Sequence, residues 1–304
     1  MKDGSEGALD LRALRSSGAF DLALQAGIAS NPPRLLDPLF HQSKGLHLRE
    51  ALEASGTTRA REVEAEHIDG MLGTHDIHHL VALEANPGPG HWLGRFRGSL
   101  GRVTLVSPEP GLLQLGLAGI PGQVPCAGIL ADLREGVRHL KLEVQGPRTI
   151  AWAEGALSQY PPEVAMHLLR HVGACLGAED LLILGGECAE GVKVEGRLPA
   201  TCGDPVREWA DAVLRSIPGF PERGWSVGWK TSHGVDHLEA RREDGADFSF
   251  ELGPNGVFPG GKGLELARIH RWSAADLDGA ATHAGLRVEC SEMEGGYRVA
   301  ILRR

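Results

Sequence analysis

Apolar residues recur at helical spacing from about Leu11 to Ile28 and stop at Asn31-Pro32-Pro33, which predicts a short helix closed by a turn. A loop follows Pro38. Then come a helix over about Leu46–Glu53, a break at Gly56-Thr57-Thr58 and a second, charged helix reaching Ile68. Neither of these helices is apolar enough to stand alone, so both must pack on a larger body. The pattern then changes to short apolar runs alternating with helical spacing: VALEA, GHWLGRF, RVTLVS, PGLLQLGLAGI and CAGILADL, all between residues 81 and 133. The alternation continues from Arg148 to Cys188. RTIAW reads as a strand, and PPEVAMHLLRHVGACLG as a helix whose first turn accommodates Pro161 and Pro162. DLLILGGEC reads as a strand that is apolar throughout, as a central parallel strand covered on both faces is. Together these elements predict an α/β fold with a parallel, doubly wound, Rossmann-like sheet.

Beyond Glu190 the rhythm is different. A helix over Val206–Ile217 is followed by WSVGWKTS, DHLEARRED and DFSFELG, whose polar alternation predicts antiparallel strands of an inserted second lobe. From Ser273 the chain returns to a helix, with Ser273 as its N-cap and Gly285 at its end, and then to two strands.

Composition narrows the function classes. The 304 residues contain 42% hydrophobic side chains, enough for a sizeable core, and carry a net charge of -9 without a basic run, which disfavours nucleic acid as a partner. No apolar run approaches the ~18 residues of a membrane span, and the N-terminus lacks a basic-then-apolar leader pattern, so a cytoplasmic location is expected. The five cysteines are scattered and include no Cys-x-x-Cys pair, so neither a disulfide framework nor a zinc cage is predicted. His75, Asp76, His78 and His79 cluster in sequence. The acid is adjacent to His75 and no third ligand is evident, so no metal site is assigned there.

The stretch LVALEANPGPG, Leu80–Gly90, is a strand that ends in an acid and breaks into a glycine turn. Glycines at 88 and 90 let backbone approach a nucleotide closely, and Glu84 stands where a carboxylate meets ribose hydroxyls. An ordinary strand-to-helix turn has the same local pattern, so the flanking order of elements has to decide.

That order resembles the ergothioneine-type histidine N-methyltransferase family, whose members pair a Rossmann-like class I methyltransferase sheet with an inserted α+β substrate lobe. The likeness runs through FHQSKGLHLREALEASGTTRAREVEAEHI, VALEANPGPG, RTIAWAEGALSQYPPEVAMHLLRHVGACLGAEDLLILGGEC and RWSAADLDGAATHAGL. It implies residues 1–70 as an N-terminal helical segment contributing to the substrate lobe, 71–190 as the core, 191–265 as the inserted lobe and 266–304 as a return to the core. It also implies S-adenosylmethionine as cofactor. On the cofactor side Glu84, Gly88 and Gly90 match the first motif, and Asp132 matches the acid that receives the adenine amino group. Where the family has an acid for the ribose, the second strand offers Ser107, with Glu109 two places on.

On the substrate side the family's Asn-Phe pair becomes Gln159 and Tyr160, and its N-terminal Tyr-Asp pair becomes His41 and Gln42. Its amino-acid clamp aligns with Leu266, Ala267, Arg268 and Ile269, where Ala and Ile accept no hydrogen bonds, so free histidine is not expected as substrate. The resemblance also draws attention to Glu154, facing the reacting centre, and to Glu187 at the end of the next strand. Arg271 and Trp272 replace a Lys-Tyr pair. The resulting assignment is Glu154, Tyr160 and His41 as catalytic, with Gln159, Glu187, Arg271 and Trp272 contacting substrate.

Two enzymatic readings follow, and one that is not. In the first, the chain binds S-adenosylmethionine and methylates an amine of an amino-acid-derived small molecule, free or carrier-bound, in a specialised pathway. In the second, it aligns an amine for displacement within one substrate, closing an aziridine-type ring in natural-product biosynthesis together with a second protein subunit. In the third, it is a non-catalytic partner subunit.

Overall fold

The computed structural model describes residues 9–10, 59–73, 75–84, 90–133, 135–138, 147–153, 155–190, 204–215, 220–221, 223–245, 248–249, 257–258 and 263–304. Expectations for 11–28 and 46–53, and for His41, Gly88 and Glu154, fall outside them. By backbone contacts the chain divides into two units, one of residues 1–14, 58–201 and 271–304 and one of residues 15–57 and 202–270.

The first unit carries β1 (Leu9–Asp10), α1 (Arg59–Leu72), β2 (Ile77–Leu83), α2 (Gly90–Leu93), β3 (Leu100–Ser107), α3 (Pro110–Ala118), β4 (Cys126–Leu130), β5 (Arg148–Trp152), α4 (Pro162–Cys175) and β6 (Leu181–Glu187). The second unit holds α5 (Asp204–Arg215) and strands β7 (Trp225–Ser232), β8 (Val235–Arg242), β9 (Phe248–Ser249), β10 (Val257–Phe258) and β11 (Leu264–His270). The chain then returns to the first unit with α6 (Ala274–His283), β12 (Arg287–Glu294) and β13 (Tyr297–Arg303).

In the first unit the strands lie in the order β1-β4-β3-β2-β5-β6-β13-β12. They run parallel from β1 to β6, and only β13 and β12 are antiparallel. A parallel sheet whose last pair is an antiparallel hairpin, with the later strand inserted inside, is the Rossmann-like class I methyltransferase arrangement, as the order of elements predicts.

The period-two alternation of these strands divides the core cleanly. Val81, Leu83, Ile150, Trp152, Leu182 and Leu184 face one layer with α4 and α6, while Leu80, Ala82, Ala151, Leu181 and Ile183 face the other with α1 and α2. Helix α4 buries Ala165, Leu168, Leu169 and Val172, a stripe at i, i+3, i+4 and i+7, behind Pro162 in its first turn. Ser273 caps α6, its side chain accepting the Asp276 N–H, and Gly285 at φ +74 ends it with Leu286 N–H donating to Ala281 O. Among the described residues no helix is long and apolar enough to cross a membrane.

The second unit's sheet is antiparallel, in the order β11-β8-β7, with a bulge between Glu265 and Ala267. His237 Nδ1 lies 2.7 Å from the buried Glu265 carboxylate, which also takes two bonds from Arg268. Leu266 and Ile269 are buried beside them.

At the N-terminal end of β2, His79 Nε2 lies 2.8 Å from Thr104 Oγ1, and Asp76 accepts from the amide and hydroxyl of Ser99. Burial, then the charges of Arg102 and Arg148, push the His79 pKa from 6.5 down to about 4. The unfolded chain therefore takes up this proton first. The stability that neutral His79 preserves is complete above pH 6.5 and is lost as pH falls from there towards 4. Urea unfolding between pH 7.5 and 4 should show that decline, and His79→Gln should flatten it. An unchanged slope in the variant would assign the decline to other groups.

Candidate functional site

In an open parallel sheet, ligands bind outside the carboxyl ends of the strands where the order reverses. Here the reversal lies between β2, which leads outward to β3 and β4, and β5, which leads to β6. Glu84 follows β2 at that point. Its φ of +51 places a non-glycine residue in the left-handed region, at a cost of about 1 kcal/mol. Two contacts hold it there: Trp152 Nε1 donates to Glu84 Oε2 at 3.0 Å, and the Tyr160 hydroxyl donates to Oε1. The two rings lie 6.2 Å apart with their planes at 59°. One carboxylate thus joins the end of β2 to the end of β5 and to the turn beyond it. A strained residue so held is an indicator of function rather than of fold.

That turn is a short 3-10 helix, Ala156–Gln159, entered through Gly155 at φ +74 and left through Tyr160, which is half-buried beside exposed Gln159. Ser158 is wholly buried, and its Oγ accepts the Glu187 N–H at 2.8 Å. Glu187, at the end of β6 and also buried, accepts the Trp272 N–H through its carbonyl at 2.9 Å. The Glu187 backbone is therefore bonded both to the turn that carries Gln159 and Tyr160, through Ser158, and to Trp272, which follows Arg271. The Trp272 ring itself belongs to the apolar core.

At the end of β3 Ser107 is buried. Its Oγ accepts the Glu109 N–H at 3.2 Å and lies 3.4 Å from the Glu109 carbonyl, so the hydroxyl closes its own turn. Glu109 is buried as well, at the N-cap position of α3. Beyond β4, Asp132 is exposed and its Oδ1 caps the next helical turn by accepting the Glu135 N–H at 2.9 Å. Gly90 is required for a steric reason: a Cβ there would lie 2.6 Å from the carbonyl oxygen of Gly119, so the start of α2 sits on the end of α3.

Sequence reasoning missed the buried groups beneath this edge. Glu64 on α1, His91 on α2 and Tyr297 on β13 form one hydrogen-bonded set. The signal was present, since Glu64 falls four residues from both Ala60 and Ile68 on the buried stripe of α1. Among the described residues one group of possible metal ligands occurs elsewhere, the partly exposed Glu66, His67 and Glu294.

No protein-family model and no curated protein matches the chain. Among solved structures it is similar to an S-adenosylmethionine-dependent methyltransferase from Clostridium acetobutylicum, at 8% identity over 84% of this chain and 96% of that one, with a TM-score of 0.47. It is similar to an amino pentose methyltransferase from Micromonospora echinaspora involved in calicheamicin biosynthesis, at 14% identity over 84% and 95%, TM-score 0.42. A third is the 1,6-didemethyltoxoflavin-N1-methyltransferase of Burkholderia thailandensis, at 11% identity over 96% and 92%, TM-score 0.43. These three are S-adenosylmethionine-dependent or methyl-transferring enzymes by description; the fold assignment of this chain stands on its own strand order.

Proposed function

We propose that this chain is an S-adenosylmethionine-dependent methyltransferase acting on a nitrogen of an amino-acid-derived small molecule other than free histidine. The observation that carries the reading is the row of carboxylates along one edge of the sheet: Asp132 beyond β4, Glu109 beyond β3, Glu84 beyond β2 and Glu187 ending β6. S-Adenosylmethionine presents a sulfonium, an ammonium, two ribose hydroxyls and an exocyclic amino group, all of which seek negative charge or an acceptor. An acidic edge complements that set, whereas the phosphates of a dinucleotide would meet like charge there. When bound, this cofactor supplies a methyl group made electrophilic by the sulfonium.

The chain's own residues then have separable roles. Asp132, with Oδ1 held by Glu135 N–H, keeps Oδ2 to accept an adenine amino group. Glu109 is the ribose acceptor in place of Ser107, whose hydroxyl is used within its own turn. Tyr160 acts on the amine: its hydroxyl donates to Glu84, which orients the phenolic oxygen to take a proton from an N–H of the substrate. A substrate ammonium passes its proton to Tyr160 Oη as the phenolic proton moves to Glu84 Oε1, leaving a neutral amine to attack. Gln159, exposed next to Tyr160, and Glu187, at the end of β6, keep the substrate-contact roles that the resemblance implies.

Isothermal calorimetry and thermal unfolding with S-adenosylhomocysteine test the reading. Ligand at a hundred times Kd should stabilise the fold by about 2.7 kcal/mol, a rise in Tm of roughly 5 °C. No heat and no shift at millimolar ligand would overturn it. The buried Ser107 favours a second reading, since a ribose contact of the usual kind is missing at the end of β3. In that reading the same Tyr160–Glu84 pair takes the proton from an amine that displaces a leaving group on its own substrate, closing a strained ring without a cofactor, and the protein would ignore S-adenosylhomocysteine.

A further inference from the structure

Glu64 is fully buried on α1 and is bonded to two elements, β13 through Tyr297 and α2 through His91. Tyr297 Oη donates to Glu64 Oε1 at 2.5 Å, and His91 Nε2 lies 2.9 Å from Oε2. The same Tyr297 oxygen accepts the Gly155 N–H at 2.8 Å. Gly185 makes room for the arrangement, because a Cβ there would lie 2.7 Å from Glu64 Oε1. Burial, then the Glu64 charge, raises the Tyr297 pKa well above its usual value, so the phenol keeps the proton that it donates.

These contacts are placed at the two chain segments that flank the reversal between β2 and β5. His91 is the second residue of α2, the next described element after β2. Gly155 opens the turn that delivers Gln159 and Tyr160, and its left-handed conformation is fixed by the bond to Tyr297. Loss of the phenolic oxygen would leave the Gly155 N–H buried without its partner, and the turn would relax to satisfy it.

We propose that Glu64 is a positioning residue for cofactor binding, holding the Gly155 turn through Tyr297 and the start of α2 through His91. It acts without touching the ligand, and the inference rests on the cofactor reading above. Its sequence signature is a carboxylate on the apolar stripe of a helix, and its structural one is a carboxylate that bonds three sequence-distant segments into a single set. Buried polar networks of this kind are costly when broken and rigid when complete, which suits them to holding binding loops.

The test compares the full chain with Tyr297→Phe, His91→Asn and Glu64→Gln, by calorimetry with S-adenosylhomocysteine and by amide hydrogen exchange. Tyr297→Phe, which keeps the ring in place, should bind the ligand about 10-fold more weakly. It should also speed exchange at the Gly155 amide by about 10-fold or more while Leu182–Leu184 in β6 exchange as before. His91→Asn should weaken binding without altering Gly155 exchange, because it sits on the other arm. Glu64→Gln, which keeps an acceptor for Tyr297, should retain more affinity than Glu64→Ala. Unchanged affinity in Tyr297→Phe and His91→Asn would overturn the proposal, whether or not Gly155 exchange rises, since Glu64 would then only support the fold. A wild-type chain that does not bind S-adenosylhomocysteine overturns the cofactor reading itself, and is told apart from the first outcome before any variant is made.

Discussion

Tyr160→Phe is expected to lower kcat by about 100-fold or more while leaving S-adenosylhomocysteine affinity within about threefold of wild type. The change removes one oxygen from a ring that stays packed near Trp152, and it takes away the only atom of Tyr160 able to accept a proton from the substrate amine. Glu84→Gln should produce a loss of similar size, because an amide in place of the carboxylate cannot receive the phenolic proton. The double variant should be little slower than either single one, as groups that act as a unit lose their effect together. Additive losses, or a Tyr160→Phe enzyme within twofold of wild type in single-turnover assays, would remove the pair from the proton path. A fall in ligand affinity matching the fall in kcat would instead assign Glu84 to cofactor binding, its role as read from the sequence.

Glu84 shows how far local pattern carries. The turn expected over 85–89 lies outside the described residues, but the apolar run before Glu84 marked the end of a strand correctly, because that boundary depends on residues a few places apart. The partners of Glu84 do not, since Trp152 is 68 residues away and Tyr160 is 76. The resemblance placed Tyr160 in the site but gave no reason to pair it with Glu84. Ser107 is a similar case. Its identity was legible and its replacement of an acid was noted, while the closing of its hydroxyl onto Glu109 follows from a backbone turn that composition does not specify. The sheet was easier to read. β6 is apolar on both faces and β7 and β8 alternate, and periodicity reports such burial directly. Tyr297 and Glu64, 233 residues apart, became partners only once β13 was inserted next to β6.

Asp180→Ala is expected to destabilise the first unit by about 3–5 kcal/mol, the cost of leaving a buried charge without its partner. The carboxylate of Asp180 accepts from the Arg148 backbone N–H at 2.8 Å, from Arg148 Nε at 3.0 Å and Nη2 at 2.5 Å, and from the Gly177 N–H at 2.7 Å. Arg148 Nη2 also donates to Cys175 O at 2.7 Å, so one ion pair ties the start of β5, the loop before β6 and the end of α4. Arg148 and Asp180 are both almost fully buried, and water cannot replace what the substitution removes. Replacing both partners by Met and Leu should recover most of the loss, because no charge is then stranded. Urea unfolding followed by circular dichroism reads both effects, and a loss below about 1 kcal/mol for Asp180→Ala would show that solvent reaches the guanidinium. The pair lies at the amino ends of the strands, opposite the Glu84 edge. Under conditions where the variant is fully folded its affinity for S-adenosylhomocysteine should equal that of wild type, in contrast to Tyr297→Phe, whose lesion lies beneath the ligand turn. Stability and binding therefore separate along the length of the same strands: β5 begins in an ion pair that holds the fold and ends in the turn that holds the site.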